Sequence, residues 1–123
     1  MATIADRVLD NGLTVLDTEA TRVDITSQEA TSYAEATSTY TLGNTTSVSI
    51  SAPADRTGGG RKVTLAAISG ANVTANGSAT HFAISDVSNS RLLVTGALAS
   101  TQSVVSGNTF AVAALDIGIP DPS

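Results

Sequence analysis

The stretch "ATHFAISDVSNSRLLVTG", residues 79–96, decides the fold. Successive side chains of a strand point to opposite faces. A strand through 79–85 therefore sets Thr80, Phe82 and Ile84 on one face and Ala79, His81, Ala83 and Ser85 on the other. Phe82 is one of only two phenylalanines, so its face is read as core. Asp86, Ser88 and Ser90 then form a polar turn, and "SRLLVT" returns as a second strand. The pattern is a β-hairpin with the chain's single histidine on the side away from Phe82.

Turn signals continue in both directions, roughly every 8–12 residues, the spacing of a sandwich or jelly roll. Toward the N-terminus, "RKVTLAAIS" alternates Val63, Leu65 and Ala67 against Lys62, Thr64 and Ala66, and "ADRTGGGR" before it is a loop. "TTSVSISAP" reads as a strand ending before Pro53, and "TRVDIT" as a half-buried strand with Val23 and Ile25 on one face. Between them, Ser27 is expected to cap a short helix reaching about Ala36, with Glu29 in its first turn. The Asn11-Gly12 pair in "RVLDNGLTVL" favours a type I′ turn, hence an N-terminal hairpin, and Asn76-Gly77 supplies a second such turn. Toward the C-terminus, "FAVAALDIGI" is apolar on both faces and reads as one strand, central or covered by a partner. Pro120 and Pro122 take the chain out of the sheet. The expected core is Phe82, Ile84, Leu92, Val94, Phe110 and Val112.

The expectation is one all-β domain, a β-sandwich or jelly-roll-like fold with at most one short helix. Residues 1–45 form an N-terminal hairpin or arm, packed on the same domain or on a neighbour. Residues 46–123 form the sandwich core.

Composition narrows the function classes. The net charge of -5 divides into -6 over residues 1–55 (two basic, eight acidic) and +1 over residues 56–123 (four basic, three acidic). An acidic half repels phosphate, so no nucleic-acid partner is expected. No apolar run approaches the ~18 residues of a membrane span, and no membrane partner is expected. "MATIADRVLDNG" lacks the apolar core of an export signal. The absence of cysteine removes disulfides and thiolate metal sites. Sequons at Asn44, Asn72 and Asn76 are read as chance in a chain with 33 serines and threonines.

Catalytic templates fit poorly. His81 would need a nucleophile and an orienting carboxylate, and Asp86, at an odd separation on the same strand, projects to the other face. "TGGGRK" departs from the phosphate-binding G-x-x-x-x-G-K-[ST] pattern and precedes a strand. "DVSNSR" lacks the glycine and distal glutamate of a calcium loop. Glu29 and Glu35, six apart, fall on different helix faces. Only Tyr33 and Tyr40 could serve an aromatic binding platform. No enzyme activity, cofactor or metal is expected. The charge split instead suggests contacts between copies, in which Asp17, Glu19 and Asp24 of one chain meet Arg56, Arg61 and Lys62 of another.

The segment "SQEATSYAEATSTYTLGN", then "GRKVTLAAI", then "ATHFAISDVSNSRLLVTGALASTQSVVSGNTFAVAALDIGIPDPS" resembles a group of small proteins encoded among the structural genes of tailed bacteriophages. Tyr33, Ala36 to Tyr40, Leu42, Gly43, Gly60 to Val63, Ala79 to Ala83 and Ser106 to Phe110 occupy the shared positions, and the likeness covers most of the chain from residue 22 on. The resemblance implies a virion structural protein, assembled in the bacterial cytoplasm, whose partners are its own copies and other virion proteins. A head decoration protein that stabilises the capsid as a small oligomer is placed first. A neck or tail component is next, then a receptor- or glycan-binding module, and last a hydrolase using His81.

Overall fold

The structure is a computed structural model that describes residues 5–120. It contains one α-helix, α1 (Asp6–Glu19), and nine strands: β1 (Arg22–Thr26), β2 (Thr41–Thr45), β3 (Ala54–Asp55), β4 (Arg61–Leu65), β5 (Ile68–Val73), β6 (Gly77–Asp86), β7 (Arg91–Val104), β8 (Thr109–Val112) and β9 (Leu115–Ile119). A single π-helical turn, Glu35–Thr39, sits between β1 and β2. The molecule is mostly β, and every strand pair is antiparallel.

A six-stranded sheet runs in the order β7-β6-β1-β2-β5-β8, and a three-stranded sheet in the order β3-β4-β9. The larger sheet curls until its two edges approach. Gln102 on β7 reaches across to β8, its Nε2 donating to the carbonyl of Ala111 at 2.7 Å. Inside the curl, Val23, Ile25, Phe82, Ile84 and Phe110 pack with Leu65 of the smaller sheet. Leu115 and Ile117 of β9 close that core from the same side.

Strand β6 follows the expected alternation, with Phe82 and Ile84 in the core. Its other face is covered as well. Ala83 packs with Ala30 and Ala36, so Asp24, Thr26 and Ser85 are fully buried beneath the 27–40 excursion. Leu92 departs from its expected place. Ile84 pairs with Val94 but Ser85 pairs with Leu92, so Leu93 is an extra residue in the ladder. Such a bulge resets which face follows. Val94 therefore packs on the main core, whereas Leu92 packs on the Ala30–Ala36–Ala83 cluster outside it.

The expected N-terminal hairpin is replaced by α1. Leu9, Leu13 and Leu16 recur at helical spacing and are all buried. Burying each contributes about 1.5–3 kcal/mol, more than the ~1 kcal/mol penalty of Gly12 inside a helix. The long-range benefit thus outweighs the turn preference of Asn11-Gly12. The expected helix from Ser27 also moves. Ser32 is the cap, its Oγ accepting from Glu35 N–H at 3.2 Å, and Glu35 Oε1 accepts from Thr31 N–H at 2.8 Å. This reciprocal arrangement is that of a capping box, displaced one residue.

Two further strands differ. Past Thr45, which ends β2, "TTSVSISAP" contributes one isolated bridge, Ile50 to Leu65, and the short β3 follows Pro53 instead. "FAVAALDIGI" breaks at Ala113–Ala114 into β8 of one sheet and β9 of the other. Both its faces are apolar because the chain crosses between two sheets that share a core. The Gly58–Gly60 loop turns between β3 and β4, all three residues at positive φ. The chain leaves the sheet at Pro120, as expected, and Pro122 lies outside the described residues. Strands β1 and β2 are central in the larger sheet, so residues 22–45 are part of the same core rather than an arm or an edge pair.

Candidate functional site

The six charged residues expected to face a neighbouring copy occupy different settings. Asp24 is fully buried within its own chain. Its two carboxylate oxygens accept from Arg22 Nε at 2.7 Å and Arg22 Nη2 at 2.9 Å, and Oδ2 also accepts from Thr41 Oγ1 at 2.6 Å. Burial and these partners remove Asp24 from any contact surface. Hydrogen bonding to Asp24 raises the Arg22 guanidinium above its ordinary pKa, against the desolvation that lowers it. "TRVDIT" placed Arg22 and Asp24 on one face, and that shared face is what joins them.

Arg61 is also used internally. Its Nε donates to Asp10 Oδ1 at 2.8 Å and its Nη1 to Asp55 Oδ1 at 2.5 Å, tying α1 to the β3–β4 turn. Lys62 Nζ donates to Asp116 Oδ2 at 2.8 Å, across β4 and β9. Asp116 additionally accepts from Thr64 Oγ1 at 2.7 Å. The Lys62 and Thr64 hydrogen bonds hold the Asp116 carboxyl below its usual range. Arg56 donates to the carbonyl of Gly59 at 3.0 Å and lies flat across Gly118. Glu19 is 3.9 Å from Arg91, and Asp17 is exposed on α1. Asp10, Asp55 and Asp116 are the partners that sequence reasoning missed. Only the alternation of "LDIGI", with one carboxylate among apolar residues, could have signalled Asp116 as a cross-strand partner.

His81 is half-buried on β6. Its Nδ1 lies 2.8 Å from Thr80 Oγ1, which is also 2.9 Å from the carbonyl oxygen of Ser27. A hydroxyl has one proton. That proton goes either to Ser27 or to the ring, so the direction of the Thr80–His81 bond depends on the ring tautomer. Asp86 sits at the β6–β7 turn, accepting from Asn89 Nδ2 at 2.7 Å, a bond that holds its carboxyl low. Among the described residues, no group of three or more His, Asp or Glu side chains is placed to hold a metal ion. No helix among them is long and apolar enough to cross a membrane.

A cleft of about 550 Å³ lies between β7 and the β8–β9 corner. Phe82, Val94, Leu98, Val112, Leu115 and Ile117 make it apolar. Its β7 wall comes from a wide irregularity: Ala97 pairs with His81 and Gln102 with Ala79, so residues 98–101 span the single residue Thr80. A second, polar basin of about 390 Å³ is bordered by Arg56, Thr57, Lys62, Asp116 and Gly118 on the outer face of the smaller sheet. Strands β7 and β9, which flank the cleft, are both sheet edges. Compared with known proteins, the chain matches no family model, no curated protein and no solved structure.

Proposed function

We propose that this chain is a non-enzymatic structural protein of a tailed-bacteriophage particle, a head decoration protein that reinforces the capsid as a small oligomer. The observation that carries this reading is the apolar cleft between two unpaired sheet edges. Edge strands offer backbone donors and acceptors, and natural proteins blunt or cover them. A surface that sets two edge strands beside apolar side chains suits burial against other protein. Asp116, the charged residue that lines it, is satisfied within the chain by Lys62. That pattern supports packing more than steering of a charged substrate. The resemblance of residues 27–44 and 79–123 to phage structural proteins points the same way. Within this reading, the curled sheet and the three-stranded sheet act as the two layers of a sandwich.

The test is to label the protein on purified particles and image them. Label distributed over the head at many copies is the expected result. Label confined to one vertex or along the tail would move the assignment to the neck or tail. Absence of the chain from purified particles by mass spectrometry would overturn the structural reading.

A further inference from the structure

The free edge of β9 has a geometry that fits a second copy of itself. Thr64 on β4 directs both backbone groups away from β9: its N–H reaches Ser51 Oγ at 2.9 Å and its carbonyl accepts from Ser51 N–H at 3.0 Å. In an antiparallel ladder, paired residues alternate between exchanging hydrogen bonds and turning them outward. Thr64 pairs with Asp116 and Lys62 with Gly118. The N–H and C=O groups of Asp116 and Gly118 therefore point to the free edge.

We propose that two copies of this chain join β9 to β9, antiparallel about a two-fold axis at Ile117. The proposal deepens the reading of the chain as a self-associating structural protein and rests on it. In this register Asp116 of one copy faces Gly118 of the other, twice. Each pair exchanges two backbone hydrogen bonds, and the two three-stranded sheets become one of six strands. Charge complementarity selects a second copy as the occupant. Arg56 lies across Gly118, its Cδ 2.9 Å from where a Cβ on that glycine would stand. Opposite side chains in such a ladder are about 4.5–5.5 Å apart at Cβ. The Asp116 carboxylate of one copy thus meets the Arg56 guanidinium of the other, and no two like charges face each other across the axis. On the inner face Ile117 meets Ile117, and Leu115 meets Ile119.

The neighbouring surface is apolar in the right place. A Cβ on Gly12 of α1 would stand 3.7 Å from Ile119 Cδ1. Val8 and Val15 share the helix flank of Gly12, and with Ile119 they are three of the five large hydrophobic side chains left exposed among the described residues. This flank adjoins the end of the free edge at Ile119.

The test combines the oligomeric state with two variants. The purified chain is expected to be a dimer, or an even-numbered assembly, by sedimentation equilibrium. Arg56→Glu sets a carboxylate opposite Asp116 of the other copy, and is expected to weaken self-association by roughly tenfold or more. Arg91→Glu, placed away from the edge, is expected to leave association unchanged. The chain has no cysteine, so Ile117→Cys is expected to give a covalent dimer under mild oxidation, with far-UV circular dichroism confirming that the variant is folded. An oligomer that Arg56→Glu does not weaken, and that Ile117→Cys does not cross-link, would overturn the β9 pairing while leaving self-association standing. A monomer throughout the micromolar range would overturn both, and would leave the edge to a strand of a different protein.

Discussion

Adding one methyl group at residue 96 is expected to change sign in its effect according to what occupies residue 82. Phe82 and Gly96 are directly opposite on β6 and β7. A Cβ on Gly96 would stand 2.8 Å from both Cε1 and Cζ of Phe82, closer than carbon atoms pack. Gly96 is not among the positive-φ glycines, so alanine is conformationally acceptable there. In the native background Gly96→Ala therefore acts by overpacking. Insertions of this kind destabilise by about 1–3 kcal/mol. The lower half of that range applies, because Phe82 lines the open cleft and its ring has room to yield. With Phe82→Leu the two clashing ring atoms are gone. Gly96→Ala then acts through the unfolded chain, whose entropy it reduces, and stabilises by about 0.4–1 kcal/mol. The coupling between the two sites is thus about 1.5–3 kcal/mol. Urea unfolding of the four proteins reads it directly, since an m-value of about 1–3 kcal/mol per molar makes 1.5 kcal/mol a midpoint shift of roughly 0.5–1.5 M. Additivity of the two substitutions within about 0.5 kcal/mol would refute the reasoning.

Gly43→Ala is expected to destabilise by about 2–3 kcal/mol and, unlike Gly96→Ala, to remain destabilising when Phe110 is shortened to leucine. Its Cβ would meet the backbone carbonyl of Asn72 at 2.7 Å as well as the Phe110 ring, and thermal melts of the single and double variants check this. Asp24→Ala is expected to cost about 3 kcal/mol, because it strips Arg22 and Thr41 of their shared acceptor inside the fold; Arg22 keeps partial exposure and a bond to the carbonyl of Thr37, which limits the loss. Denaturant titrations of this variant supply the comparison. Glu35, Asp86 and Asp116 all have folded pKa values below their ordinary ones, so each contributes stability that is present above an unfolded value of about 4 and lost as pH falls through the folded value. The unfolding midpoint should therefore decline below about pH 4, and Asp86→Asn should flatten that decline.

Much of the strand pattern was legible because it depends on local alternation. Val63 and Leu65 are fully buried, and Phe82, Ile84, Phe110 and Val112 lie in the core as expected. The errors came where a distant partner overrode a local signal. Asn11-Gly12 carries real turn chemistry, but the leucines of α1 gain a surface formed by Val63, Leu93 and Ile117, residues far away in sequence. Leu92 and Val94 are two apart, and only the extra residue in the β6–β7 ladder separates their faces. The break in "FAVAALDIGI" has no proline or glycine to mark it, since Ala113 and Ala114 serve as readily in a strand as in a crossing. The charge split was real as arithmetic. Asp24 and Arg61 nonetheless have partners inside one chain, which counting charges by half cannot show.

The strand order of the larger sheet also has a consequence for synthesis on the ribosome. Its two middle strands, β1 and β2, are made early, while the strands that flank them, β5 and β6, end only at Val73 and Asp86. Translation runs at about 5–20 residues per second, so a nascent β1–β2 pair waits roughly 1.5–5.5 s until β5 is made and roughly 2–8 s until β6 is made. Through that interval the backbone of Val23–Thr26 is accessible to chaperones and to other nascent chains. Slower elongation prolongs the exposure. How fast residues 68–86 follow sets the length of that exposure.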